Sequence, residues 1–168
     1  MLNLLFRRLT AEPSRGAALF ASLIAQARQR HWYVEGAVAD TIDGRFAVLA
    51  TVTALAIVRL ERFGEGGDAA SVALTERFIE VMEAEHRELG LGDPALGKTV
   101  RKLVGSLARR TELWRSAKDR SWTDATRESL YKGDVQPSAL EHSARALHDL
   151  QARLDRSELT ALVEGRLA

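Results

Sequence analysis

The sequence predicts an all-α protein, a single-domain helical bundle of about six to seven helices. Only three prolines interrupt its 168 residues. Long stretches are rich in Ala, Leu, Arg and Glu, residues that favour helix. The most apolar run, Phe46 to Val58, is thirteen residues long and carries no charge. An apolar run of that length with no alternation reads as a buried helix at the centre of a bundle. At 46% hydrophobic and 28% charged residues, the chain is too apolar for disorder and long enough to bury one sizeable core.

Start and stop signals order the elements. Ser14 is placed to cap a helix running to about Arg30, with Leu19, Leu23 and Ile24 on one face. An irregular segment follows from His31 to Asp43. Asp43 then caps a helix over Gly44 to Arg62, and Gly64-Glu65-Gly66-Gly67 breaks it. Val48, Thr51, Val52, Thr53, Ile57 and Val58 are β-branched and argue for a strand. A strand of about twenty residues would be unusual, so helix prevails. Asp68 opens the next helix, which ends at Leu89 with Gly90 just beyond. Asp93-Pro94 pairs an N-cap with proline at the first helical position, and that helix should reach about Lys118. A shorter helix lies between Thr123 and Tyr131, and a loop spans Gly133 to Ser138. Helical material from Ala139 to Leu167 is broken near Asp155. The organisation is a short basic amphipathic N-terminus over 1–12, a helical core over 13–133 and a C-terminal helical extension over 134–168.

Charge is segregated by helix. The total of 24 basic and 23 acidic residues leaves a net +1, which gives no general reason to expect a nucleic-acid partner, and none to expect DNA. Glu76 to Asp93 nevertheless holds six acidic and two basic residues, whereas Lys98 to Arg120 holds eight basic and two acidic. Glu76, Glu80, Glu83 and Arg87 form a mostly acidic stripe opposite Val72, Ile79, Met82 and Leu89. On the next helix, Leu96, Val100, Leu103, Leu107 and Trp114 make the apolar face, and Lys98, Arg101, Lys102 and Arg109 cluster opposite. That basic stripe has two readings, a solvated face balanced by its acidic neighbour or a surface for RNA phosphates or anionic lipid. The first nine residues, with Leu2, Leu4, Leu5, Phe6 and Leu9 beside Arg7 and Arg8, either dock on the protein's own core or lie on an anionic membrane surface.

Zero cysteines exclude a disulfide scaffold, a thiolate metal site and a cysteine nucleophile. As a helix, Phe46–Val58 covers only about 20 Å, short of the roughly 30 Å hydrocarbon core, so no transmembrane span is expected. The positive charge at the start follows the apolar residues instead of preceding them, unlike a signal peptide. The expected location is the cytoplasm, and the basic segments allow a peripheral seat on the inner face of the membrane.

Two motifs look chemical. Gly92-Asp-Pro-Ala-Leu-Gly97-Lys98-Thr99 satisfies the phosphate-loop expression, but that loop needs a preceding buried strand. Here a charged helical segment precedes it, and Pro94 removes an N–H the phosphate would need. Glu83-x-x-His86 has the spacing of a di-iron ligand pair. Such a site needs a second pair on a facing helix, and none of His31, His142 or His148 has a glutamate three positions before it. A surface pair is expected, with no metal, no cofactor and no enzymatic activity.

Arg28-Gln-Arg-His-Trp-Tyr33, then Asp40-Thr41-Ile-Asp43-Gly44-Arg45-Phe46, and later Arg87-Glu88-Leu89-Gly90-Leu91-Gly92-Asp93 followed by Gly97-Lys98 together resemble the ubiquinol–cytochrome c chaperone family. The resemblance covers about Ala25 to Arg115, with an echo at Leu130-Tyr131. It departs at Ala39, where proline is frequent in the family, at Val52, where a histidine is expected, and at Ser106–Arg110, which replaces a Phe-Tyr-Gly-Arg type ending. The resemblance implies a non-enzymatic assembly factor that holds newly made cytochrome b for respiratory complex III, a second assembly factor being a further potential partner. The alternative is an RNA- or ribosome-binding module using the Lys98–Arg109 stripe. Partner contacts are expected at Tyr33, Asp40, Thr41, Asp43, Arg45, Phe46, Arg87, Glu88, Asp93, Lys98, Arg101, Lys102 and Arg109. Scaffold roles for the motif arginines Arg45 and Arg87 compete with partner contact.

Overall fold

The computed structural model describes residues 16–90, 92–117 and 121–168. The expectations for residues 1–12, the Ser14 cap and the Lys118 helix end lie outside these residues. Among the described residues the chain forms seven α-helices and no strand: α1 Ala17–Ala27, α2 Ile42–Glu61, α3 Glu65–Glu88, α4 Asp93–Ser116, α5 Trp122–Leu130, α6 Pro137–Arg156 and α7 Leu159–Val163. A 3₁₀ turn, Arg30–Trp32, follows α1.

The β-branched segment is helical. α2 packs against α1, α3, α4, α5 and α6, and every residue from Ala50 to Val58 is buried. Its apolar residues therefore face neighbours in all directions, and each fully buried Val or Leu contributes on the order of 1.5–3 kcal/mol. α6 adds Leu147, Leu150 and Leu154 to the same core.

Several boundaries differ from the sequence reading for local reasons. Thr41, not Asp43, caps α2: its backbone is extended and its Oγ1 accepts from the Gly44 N–H at 3.2 Å. Asp43 sits inside the first turn, where its charge still faces the positive helix end. The glycine run does not break the chain throughout. Gly64, at φ 70°, makes the turn and α3 starts at Glu65, so Gly66 and Gly67 are helical. At Gly67 a Cβ would run into the Leu60 carbonyl, so glycine here permits α3 to leave α2 at close range. Gly92 precedes α4, with the Leu96 N–H bonded to its carbonyl at 2.9 Å. The last break falls at Ser157–Glu158, where the backbone extends between α6 and α7.

Aromatic contacts gather three elements around Phe78. Phe20 meets Phe78 edge-on at 6.1 Å, and Phe78 meets Phe46 at 6.0 Å. The first half of α1, the start of α2 and the latter part of α3 thereby converge. Arg115 grips Glu61 through both carboxylate oxygens, at 2.8 and 2.9 Å. At that same far end of α2, Arg59 donates to the carbonyls of Leu154 at 3.0 Å and Ser157 at 3.1 Å, closing the C-terminus of α6. Its guanidinium also stacks over Phe63 at 3.9 Å.

Candidate functional site

The segment between α1 and α2 is tied to the bundle by aromatic side chains. Trp32 is buried and its Nε1–H donates to the Gln26 carbonyl at 2.8 Å. The Tyr33 hydroxyl donates to the Ala27 carbonyl, also at 2.8 Å. The Ala27 carbonyl is one that the end of α1 leaves open, while the Gln26 carbonyl also accepts from the Gln29 N–H at 3.3 Å. Tyr131 holds the next stretch, donating to the Gly36 carbonyl at 2.6 Å with its oxygen 2.7 Å from Ser143 Oγ. The chain then returns so closely on α2 that a Cβ at Gly44 would collide with the Ala39 carbonyl. Gly44 of the motif is a packing requirement.

This construction leaves a groove of about 320 Å³. Its floor is apolar, with Ile24 and Ala27 from α1, Phe46 and Leu49 from α2, and Val81 and Met82 from α3, while Leu103 of α4 contributes another wall. Ile42 stands at the rim with 70% of its surface exposed. Tyr33, Asp43, Arg45 and Phe46 line the groove as well, so the motif residues do gather at one place. Burial pushes the Tyr33 hydroxyl above its usual range, against the opposing pull of Arg45, whose guanidinium lies 5.6 Å from the ring centre.

The polar rim is made of exposed pairs. Arg45 Nε meets Asp40 Oδ1 at 2.6 Å, and Lys132 Nζ meets Asp43 Oδ2 at 2.6 Å. The Lys132 hydrogen bond, then its charge, holds the Asp43 carboxyl below the ordinary range, and Lys102 acts in the same direction. Lys102 therefore belongs to the neighbourhood of the groove. Lys98, Arg101 and Arg109 share its exposed face of α4.

Other expected site residues lie elsewhere. Arg87 and Glu88 are exposed at the end of α3, Arg87 facing Glu83 at 3.7 Å, and Asp93 is the first residue of α4. Neither Arg87 nor Glu88 lines the groove. Gly97 and Lys98 are inside α4, preceded by a helix, so the strand–loop–helix context of a phosphate loop is absent there. His86, read as a surface residue, is half-buried and lines the groove; its Nδ1 lies 2.8 Å from the Met82 carbonyl. Among the described residues, no three His, Asp or Glu side chains are grouped to hold a metal.

Sequence reasoning missed the groove's apolar floor, because Ile24, Met82 and Leu103 read as ordinary core positions. It also missed Arg28 and Glu85 on the walls. Ile42 carried a signal, being the one large apolar residue inside the polar Asp40–Arg45 stretch. Arg110, next to the named Arg109, is the architectural arginine. It donates to the Ser129 carbonyl at 2.8 and 3.2 Å and to Ser106, and burial lowers its proton affinity.

A family model described as ubiquinol–cytochrome C chaperone matches residues 35–168. The chain belongs to the ubiquinol–cytochrome c chaperone family. The matched span begins just after Tyr33 and runs through α6 and α7, well past the residues on which the resemblance rested. Among solved structures, the Cbp3 homolog from Brucella abortus is similar, at 24% identity and a TM-score of 0.75, covering 98% of this chain and 94% of that one. That likeness establishes a shared fold. No curated protein matches the chain. Membership places the chain among assembly factors, and no helix among the described residues is long and apolar enough to cross a membrane.

Proposed function

We propose that this chain holds newly made cytochrome b during assembly of ubiquinol–cytochrome c reductase, without catalysing a reaction. The observation that carries the reading is the apolar groove with Ile42 exposed at its rim. An apolar membrane protein outside the bilayer needs its exposed surface covered, and a preformed apolar groove covers part of it at little ordering cost. Met82 in the floor suits varied segments, because its unbranched side chain adapts to the shape against it. The rim pairs, Arg45–Asp40 and Lys132–Asp43, are exposed and weak in water. Their partners are therefore available for exchange with polar groups of a client.

The test is genetic and spectroscopic. Deleting the gene should lower the b-type haem signal of membranes and the activity of complex III. Reintroduced wild-type chain should restore both, whereas Ile42→Asp should fail to do so while melting at the wild-type temperature. Normal cytochrome b in the deletion strain would overturn the proposal.

A further inference from the structure

The groove alone does not say how a bound segment is oriented, but the helix beside it does. Lys98, Arg101, Lys102 and Arg109 lie on one exposed face of α4, and none of them enters an ion pair among the described residues. The face is about 16 Å long at helical rise. The groove meets α4 at mid-length: Leu103, the neighbour of Lys102, forms a wall, and the Lys102 charge acts on Asp43 of the groove lining. The acidic face of α3 on the other side is partly self-neutralised, with Glu80 held by Arg77 at 3.1 Å and Glu83 facing Arg87 at 3.7 Å. Within the groove lining Arg28 offsets Glu85 and Arg45 offsets Asp43, so the four unpaired cations of α4 are what give its surroundings a positive side.

Resting on the groove reading above, we infer that the preferred occupant is an apolar segment carrying an acidic flank, the flank lying along Lys98, Arg101, Lys102 and Arg109 of α4. Four to five extended residues span that face. An anionic bilayer is a poorer fit for it. Surface-bound helices insert apolar side chains between headgroups, and the large apolar side chains exposed among the described residues (Val34, Ile42, Val72, Leu89 and Val163) are all outside α4.

The experiment uses the full chain and three labelled peptides sharing one eight-residue Leu/Ile/Phe core, flanked by three glutamates, three lysines or three serines. At low salt the glutamate peptide should bind about tenfold tighter than the lysine peptide, a preference that falls as salt screens it. Lys98→Glu with Lys102→Glu, both exposed, should abolish or invert the preference, read as the ratio of glutamate- to lysine-peptide affinity within each protein. Equal affinity for all three flanks, or a preference untouched by the double reversal, overturns this inference while leaving the groove reading standing. Binding of none of the peptides overturns both. Anionic-vesicle or ribosomal-RNA binding that depends on Lys98 and Lys102, with no flank preference, assigns the α4 face to that partner and also overturns the inference.

Discussion

The two ends of α2 use arginine in opposite ways. At the groove end, Arg45 pairs with Asp40 in the open, the two side chains 61% and 57% exposed. At the far end Arg59, 16% exposed, spends its donors on the backbone carbonyls that terminate α6. A guanidinium that fills orphan carbonyls stabilises the fold, because removing it strands acceptors already withdrawn from water. A guanidinium in a solvated ion pair contributes little to folding, since water and salt screen it. One end of the helix is closed, and the other is left available.

Breaking the groove end by backbone crowding should give the largest effect. Gly44→Ala forces a Cβ against the Ala39 carbonyl, and we expect a loss of about 3 kcal/mol in chemical denaturation. A loss near zero would mean that the Ala39 turn yields easily and that the groove wall is soft. Next, Arg59→Ala should cost about 2 kcal/mol, enough to lower the melting temperature by roughly 5 °C. An unchanged melting temperature would erase the contrast between the two ends.

A smaller loss should appear on acidification. His31 Nε2 lies 3.0 Å from Gln29 Oε1 and its Nδ1 lies 3.1 Å from His142 Nε2. With Gln29 accepting, His31 Nδ1 accepts from His142, and burial followed by the His142 charge lowers the His31 pKa, with Glu35 opposing. The unfolded chain then binds the proton more readily, so this contribution is present above the ordinary histidine pKa of about 6.5 and is lost as pH falls below it. Denaturation between pH 7.5 and 5 measures it, and His31→Gln should flatten the slope. The smallest effect belongs to Arg45→Ala, which should leave the melting temperature unchanged. A large drop would place Arg45 with Arg59 among the structural arginines.

The fold was legible where one residue type dominates a long stretch. Phe46–Val58 announced a buried helix, and Asp93-Pro94 a helix start, because both signals are local. Boundaries were less legible, since Thr41 and Asp43 are both capping types and only the extended backbone at Thr41 decides between them. Gly66 and Gly67 read as a break because glycine's role in letting α3 approach Leu60 is a tertiary fact. The site was half legible. The polar Asp40–Arg45 motif marked the rim, but the floor is assembled from Ile24, Leu49, Val81, Met82 and Leu103 on four different helices. Each of those residues satisfies the same periodicity as a core residue, and only their convergence leaves space between them.

Because α2 is walled in on all sides, its amides from Ala50 to Val58 should exchange with solvent hydrogen only when the whole molecule opens. That stretch is a built-in gauge of global stability. Amides around Gly36 to Gly44, at the groove end, should exchange through smaller openings. A bound client would slow the second set directly and the first only through mass action, so one exchange experiment separates local covering from global stabilisation.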